Sequence, residues 1–125
     1  MGQAMRAIAL IVDGDTYGRE LTGTILEEAG LEVVEIESSE EAVNILRVGA
    51  HEIVMIVVAM ELPRFMSGAR LATYAQQWPW ISVVVTSDDP QSADLPPPAV
   101  LMHNPWLPFD MLIQAEKAIA AASQA

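Results

Sequence analysis

The sequence predicts one α/β domain built on a five-stranded parallel sheet that is doubly wound, with helices on both faces. Three observations support this prediction. Apolar segments of strand length alternate along the 125 residues with segments of helical periodicity. Several of the strand segments are apolar at every position, which is typical of strands buried on both faces. The chain is long enough for one core only, so we expect a single domain over 1–125 with an ordered core over 5–122.

The first half of the chain contains two predicted strands and two predicted helices. An unbroken apolar segment predicts the first strand at 7–12. The helix after it is expected to end at Gly30, and its apolar side chains recur at helical spacing: Leu21, Ile25, Leu26 and Ala29. A β-prone segment predicts the second strand at 32–36. The second helix is expected to begin at a capping box formed by Ser38 and Glu41.

The second half continues the alternation but lacks one helix. The remaining strands are expected at 53–59, 81–86 and 100–103, and the remaining helices at 69–77 and 108–122. Between the fourth and fifth strands lies Asp88 to Pro98, which includes three consecutive prolines. Prolines cannot occupy a helix interior, because they lack the N–H group and clash with the preceding turn. The fourth helix is therefore expected to be shortened or replaced by a proline-rich loop.

Composition excludes several classes of function. Seventeen acidic and six basic residues give a formal charge of −11, which repels nucleic-acid phosphates. The longest apolar segment, Ile53 to Met60, is far shorter than the roughly 20 residues of a membrane-spanning helix. The absence of cysteine excludes disulfides and cysteine-based metal sites. We expect no nucleic-acid or membrane partner, and no signal-peptide core is found, so a cytoplasmic location is expected.

Polar and small residues follow four of the predicted strands. In a parallel sheet with helices on both faces, binding sites form at the carboxyl ends of the strands. The residues expected there are Asp13, Gly14 and Asp15 after the first strand, Ala59 and Met60 at the third, Thr86, Ser87 and Asp88 at the fourth, and His103 to Trp106 at the fifth.

These strand ends carry motifs that follow one another in a recognisable order. The motifs are Ile11-Val12-Asp13-Gly14-Asp15, then Ala59-Met60-Glu61-Leu62-Pro63 with Gly68 after it, and then Asn104-Pro105. In this order and spacing they resemble a response-regulator receiver domain of the single-domain type, over nearly the whole chain. The resemblance implies a flavodoxin-like fold and a role in a two-component system or phosphorelay.

The chain departs from the receiver pattern at the positions that carry its chemistry. Receivers use an aspartate after strand three as phospho-acceptor, two acids after strand one to hold Mg²⁺, a hydroxyl after strand four, a lysine after strand five and an aromatic switch residue. The corresponding positions are Ala59 for the acceptor, Gly14 for the second acid, Asn104 for the lysine and Leu101 for the switch aromatic. Asp13 remains, as does a hydroxyl at Thr86 or Ser87, and Asp15 is expected to face outward or to cap the first helix.

The departures predict a pseudo-receiver that binds proteins without being phosphorylated. No catalytic residue, metal or cofactor is expected, because Asp13 alone is a poor Mg²⁺ site. The partner is expected to be a signalling protein, either a histidine kinase or another regulator, or a second copy of the chain. Bulky apolar residues after the fifth strand form the expected interface: Trp106, Leu107 and Phe109.

Two alternatives stay open at the level of sequence. A small hydrolase or metal-dependent enzyme could use Asp13, Thr86 or Ser87, and His103, since a hydroxyl nucleophile needs a nearby base. A receiver modified at a non-standard residue, such as Asp13 or Asp15, is the second alternative.

Overall fold

The structure, a computed structural model, describes residues 6–62, 65–89 and 95–123. Its elements are β1 (Ile8–Val12), α1 (Thr16–Glu28), β2 (Glu32–Ile36), α2 (Ser39–Gly49), a 3₁₀ turn (Ala50–Glu52), β3 (Ile53–Ala59), α3 (Gly68–Ala75), β4 (Ser82–Ser87), β5 (Val100–His103) and α4 (Pro108–Ser123). All five predicted strands are present. Pro63 of the third-strand motif, residues 90–94 of the proline-rich segment and residue 5 of the expected core lie outside the described residues.

The five strands form one parallel sheet in the order β2-β1-β3-β4-β5. The predicted doubly wound parallel sheet is therefore confirmed. The order reverses direction between β1 and β3, and a crevice opens beyond the carboxyl ends of strands at such a point. This topology brings the ends of β1, β3 and β4 together and sets the location of the candidate site.

Two apolar layers sandwich the sheet. On one face α1 and α4 pack on side chains that include Ile11 and Val57. On the other face α2 and α3 pack on side chains that include Val12 and Val58. Because successive strand residues point to opposite faces, β1 and β3 contribute to both layers, which explains why their sequences are continuously apolar. Within the described ranges, no helix combines the length and apolarity needed to cross a bilayer.

Side-chain caps start three of the helices. The Gly18 N–H donates to Asp15 Oδ2 at 2.9 Å, so Asp15 caps α1, one of the two alternatives expected for it. Ser38 caps α2 by accepting from the Glu41 N–H at 3.2 Å, as the capping box predicted. Ser67 caps α3 in the same way. Each cap satisfies an N–H group that the first helical turn leaves without a partner.

The aromatic residues between α3 and β4 pack back onto the domain. Trp80 Nε1 donates to the Ala50 carbonyl oxygen at 3.1 Å. The rings of Tyr74 and Trp78 meet edge to face with centroids 5.4 Å apart. Gln76 Nε2 donates to the carbonyl oxygen of Pro97 at 3.1 Å and so ties the proline-rich segment to α3. Among the residues described between β4 and β5 there is no helix, in agreement with the prediction.

Candidate functional site

A pocket of about 520 Å³ opens beyond the carboxyl ends of β1, β3 and β4, beside α1 and the loop after β5. Most of the residues that the sequence singled out meet in it. Its lining includes Asp13, Asp15, Ala59, Thr86, Ser87, Asn104 and Trp106. Gly14, Leu101, His103, Leu107 and Phe109 are not part of this lining.

The end of β3 presents a methyl group to the pocket. Ala59 is paired with Thr86 of β4, and the Met60 N–H donates to the Thr86 carbonyl oxygen at 2.7 Å. A parallel pair in register directs its side chains to the same face of the sheet. Ala59 thus lines the pocket, at the position that the sequence resemblance equates with the phospho-acceptor, and its methyl group offers neither a nucleophile nor a metal ligand.

Gly68 fixes the backbone around Ala59. Its N–H donates to the Met60 carbonyl oxygen at 2.9 Å. A Cβ atom at position 68 would lie 2.8 Å from Met60 Cα and closer still to the Ala59 carbonyl oxygen. Only glycine allows the first turn of α3 to approach the end of β3 this closely.

The structure distinguishes the two hydroxyls that follow strand four. The Ser87 hydroxyl accepts from the Asp89 N–H at 3.0 Å and donates to the Asp89 carbonyl oxygen at 3.3 Å, so it closes a local turn. Thr86 is 7% exposed and lines the pocket, and no other described residue forms a hydrogen bond with its hydroxyl. Every fully buried side-chain oxygen among the described residues has a partner, so the Thr86 hydroxyl oxygen stays accessible from the pocket.

Asp13 is the carboxylate that lies deepest in the pocket. Burial raises its pKa above the ordinary value, and the carboxylates of Asp15 and Asp88 raise it further. Two contacts oppose this: the Asp15 N–H donates to Asp13 Oδ1 at 2.9 Å, and Arg19 lies close enough to favour the charged form. The net direction is upward because the effect of burial is larger than that of these two contacts. Arg19 Nη1 donates to the backbone oxygen of Asp13, at 2.7 Å.

We expect Asp13→Asn to stabilise the chain at neutral pH. The raised pKa means that the folded state binds more protons than the unfolded state between the two pKa values, so stability falls as pH rises through this window. Asparagine removes that cost while its oxygen keeps the acceptor for the Asp15 N–H. Thermal melts should show a higher melting temperature for Asp13→Asn at pH 7, and a difference that shrinks as pH falls toward roughly 4.

The control is Glu28→Gln, at the far, exposed end of α1, which makes the same change in charge without burial. An advantage of Asp13→Asn that grows on acidification, or that Glu28→Gln reproduces, would contradict the assignment of a buried, uncompensated carboxylate.

Gly14 and Asn104, at the positions that the resemblance equates with the second acid and the lysine, carry no charged side chain. Gly14 is exposed, and a Cβ atom there would meet nothing within 4 Å. Asn104 donates its Nδ2 to Asp88 Oδ1 at 3.0 Å and its N–H to the Ser87 carbonyl oxygen at 2.8 Å. It therefore spans the ends of β4 and β5 without supplying a positive charge. Leu101, at the switch position, is half-buried on the face that α2 and α3 cover.

The residues present do not fit the Mg²⁺ ion that receivers hold at this place. Asp13 is the one acid left at the expected ligand positions, and Asp15 Oδ2 is engaged in capping α1. Mg²⁺ demands near-octahedral oxygen ligands and needs one or two well-placed carboxylates together with substrate oxygens. Among the described residues, no three carboxylate or histidine side chains lie close enough together to hold a metal ion.

The triad expected for a hydrolase is not assembled. His103 is exposed, and its Nε2 lies 3.1 Å from the Asp88 carbonyl oxygen. The Ser87 hydroxyl bonds with the backbone of Asp89, as described above. A nucleophile and its base need to be within hydrogen-bond reach of each other, and this pair instead contacts the backbone of the loop after β4.

Sequence reasoning missed two residues at the mouth of the pocket. Tyr17 is 73% exposed and Leu21 is 40% exposed. Both line the pocket. Their separation of four residues places them on the same face of the helix, one turn apart. That spacing, together with the predicted cap at Asp15, could have located them at the pocket.

The expected interface residues divide into two groups. Trp106 is half-buried: it lines the pocket and packs against the layer formed by α1 and α4. Leu107 is 65% exposed and Phe109 is 67% exposed. The segment after β5 thus anchors one large ring on the domain and presents two apolar side chains to the solvent.

No protein-family model matches the chain, and no curated protein matches it in sequence. Solved structures do resemble it. A response regulator receiver protein from Sinorhizobium medicae WSM419 is 18% identical, with a TM-score of 0.84 over 94% of this chain and 97% of that chain. A response regulator receiver domain protein from Methanospirillum hungatei JF-1 is 22% identical, with a TM-score of 0.75 over 98% and 100%. A receiver domain protein from Clostridium thermocellum is 20% identical, with a TM-score of 0.74 over 94% and 98%.

The chain therefore has the receiver fold of two-component response regulators. The similarity extends over nearly the whole length of each chain compared, and it agrees with the resemblance noted in the strand-end motifs.

Proposed function

We propose that the chain is a pseudo-receiver, a signalling module that acts in the cytoplasm by binding proteins and is not switched by phosphorylation. Its partner is a histidine kinase, another regulator of a two-component pathway, or a second copy of the chain. The observation that carries this proposal is the presence of Ala59, with only a methyl side chain, in the pocket lining beside its strand partner Thr86.

The surroundings of Ala59 support a role without phosphoryl transfer. Transfer needs a nucleophile, a metal that neutralises the developing charge, and a cation on the phosphoryl oxygens. The position of each is filled by a residue that cannot serve: Ala59, Gly14 and Asn104. Asn104 is further engaged with Asp88, so its amide contributes to the structure of the loop. We accordingly assign the domain no enzymatic activity.

The exposed apolar residues support a role in protein binding. Leu107 and Phe109 follow Trp106 directly at the start of α4, and Tyr17 projects from the start of α1. Isolated exposed apolar side chains are ordinary on protein surfaces, but large ones grouped beside a pocket mark interaction sites. We expect Leu107 and Phe109 to contribute most of the contact energy, since anchors of an interface are buried on binding.

The test combines acetyl phosphate treatment with sedimentation. The purified chain, incubated with acetyl phosphate and Mg²⁺, should keep its intact mass, because no acceptor is present. Its self-association at high concentration should be the same before and after treatment. The double variant Leu107→Ser/Phe109→Ser should associate at least 10-fold more weakly, as expected for the loss of two exposed apolar anchors.

A double variant on another surface, Val48→Ser with Phe65→Ser, serves as the control, since both side chains are exposed and apolar. A stoichiometric mass increase of the unsubstituted chain after acetyl phosphate treatment would refute phosphorylation independence. Equal association of both double variants would refute the assigned surface.

A further inference from the structure

The described residues that line the pocket include several negatively charged side chains and no positively charged one. Four carboxylates contribute to it: Asp13, Asp15, Glu61 and Asp88. No lysine or arginine is found among the described residues that line it. Arg19, the cation that acts on Asp13, has a side chain only 11% exposed and is held by the Asp13 backbone oxygen and, at 3.8 Å, by Glu35. Within the described part of the chain, no cation therefore joins this group of carboxylates in the pocket lining.

Two of the carboxylates in the pocket lining each use one oxygen in a hydrogen bond within the chain, and the second oxygen can accept a further hydrogen bond. Asp13 uses Oδ1 for the Asp15 N–H, and Asp88 uses Oδ1 for Asn104. Asp13 Oδ2 lies beside Gly18, 3.2 Å from where a Cβ atom at that position would stand. An ionised carboxylate only accepts hydrogen bonds, so its natural partner is a donor that carries positive charge.

The second, independent observation is the hydroxyl of Thr86. The side chain is more than nine-tenths buried, lines the pocket and has no hydrogen-bond partner among the described residues. Buried side chains usually pair their polar groups, and this hydroxyl oxygen is open to the pocket, where the polar group of a ligand can become its partner. Thr86 and Asp13 face the same side of the sheet, from the ends of β4 and β1.

The other residues that line the pocket suit a ligand with an aliphatic chain that ends in a polar group. Val57 and Ile11 form part of the wall, and Leu21 lies at the mouth. The aromatic side chains of Tyr17 and Trp106 border the same space. Lysine and arginine bury their aliphatic stems along apolar surface, and aromatic rings attract their cationic heads.

We propose that the pocket receives a lysine or arginine side chain of a protein partner, which hydrogen-bonds Asp13 and Thr86. The choice of a protein as the source rests on the proposed function, because Leu107 and Phe109 provide exposed apolar surface directly after Trp106. A side-chain cation does not require the octahedral ligands that a metal ion demands. The partner thus supplies the positive charge that this chain lacks at Asn104, the position equated with the receiver lysine.

The test is an NMR titration of the ¹⁵N-labelled chain with N-acetyl-arginine methylamide and N-acetyl-lysine methylamide. Saturable shifts should appear at residues 13–21, 60–61 and 104–106. N-acetyl-citrulline methylamide, which keeps the shape but lacks the charge, should cause none. Asp13→Asn should weaken binding at least 10-fold and Thr86→Val several-fold, whereas Glu28→Gln, with the same charge change as Asp13→Asn, should leave binding unchanged.

A second arm identifies the source of the cation. A short peptide with arginine between leucines should bind at least 10-fold more tightly than N-acetyl-arginine methylamide, and Leu107→Ser should remove that advantage. A peptide that binds no better than the derivative would overturn the protein partner in favour of a small cation.

Equal shifts with citrulline, or shifts that Asp13→Asn leaves intact, would overturn the site itself. Labelling of the chain by acetyl phosphate would refute the proposed function without affecting this titration. Failure of the proposed function can therefore be distinguished from failure of the proposed cation site.

Discussion

Ala59→Asp alone is expected to leave the chain without phosphoryl-accepting activity, while the triple variant Gly14→Asp/Ala59→Asp/Asn104→Lys gains it. The single change returns the nucleophile but places its charge beside Asp13 with no cation to offset the repulsion. Burial and that repulsion should raise the pKa of the new carboxylate, which lowers the fraction of it that is ionised and able to attack, and should lower the melting temperature. Adding the second acid completes a Mg²⁺ site, and the lysine neutralises the phosphoryl oxygens.

The structure accommodates the added side chains. Position 14 is open, with nothing within 4 Å of a new Cβ atom. The Ala59 side chain already projects into a pocket of about 520 Å³. Position 104 lies beside Asp88, whose carboxylate accepts from the present asparagine. A lysine there can keep contact with Asp88 while its ammonium group reaches the pocket.

Intact mass after incubation with acetyl phosphate and Mg²⁺ measures the gain. The triple variant should label at least ~100-fold faster than Ala59→Asp, the scale on which single electrostatic stabilisers act in transition states. The matched control is Gly14→Asp/Ala59→Asn/Asn104→Lys, which keeps the metal and lysine positions but lacks the nucleophile and should stay unlabelled. Efficient labelling of Ala59→Asp by itself would show that the remaining pocket is more competent than its residues indicate.

Gly68→Ala is expected to lower the free energy of unfolding by about 3 kcal/mol, the upper end for forcing extra atoms into a packed site. The new methyl group would overlap the backbone of Ala59 and Met60, which cannot move aside as a flexible side chain could. To relieve the overlap, the start of α3 would have to shift and break the bond from the Gly68 N–H to the Met60 carbonyl oxygen.

Gly49→Ala is the matched control. Position 49 ends α2, and a Cβ atom there would meet nothing within 4 Å. Alanine has a lower conformational entropy in the unfolded chain and a higher helix propensity, so this variant should be equal to the wild type or more stable by up to ~1 kcal/mol. Urea denaturation, with the midpoint compared at constant m-value, measures both variants. Similar midpoints for the two would contradict the close approach of α3 to β3.

Much of the fold was determined by local features of the sequence. A strand buried on both faces must be apolar at every position, so the segments at 7–12 and 53–59 could be assigned without knowing their neighbours. The cap of α2 could also be predicted from the local sequence, because the acceptor Ser38 and the donor Glu41 lie three residues apart. The missing chemistry at Ala59 needed no coordinates either, because a methyl group cannot attack phosphorus in any conformation.

Only the tertiary structure decided which side chains share the pocket. Side chains in a strand alternate between faces, so an uncertainty of one residue in register exchanges the pocket side for the opposite side. The choice between Thr86 and Ser87 was open for this reason, and the pairing of Thr86 with Ala59 places these two side chains on the same face of the sheet. The position of Leu21 was decided in a related way: helical spacing defines a face of α1, but the packing of α1 on the sheet determines which part of that face lies at the pocket.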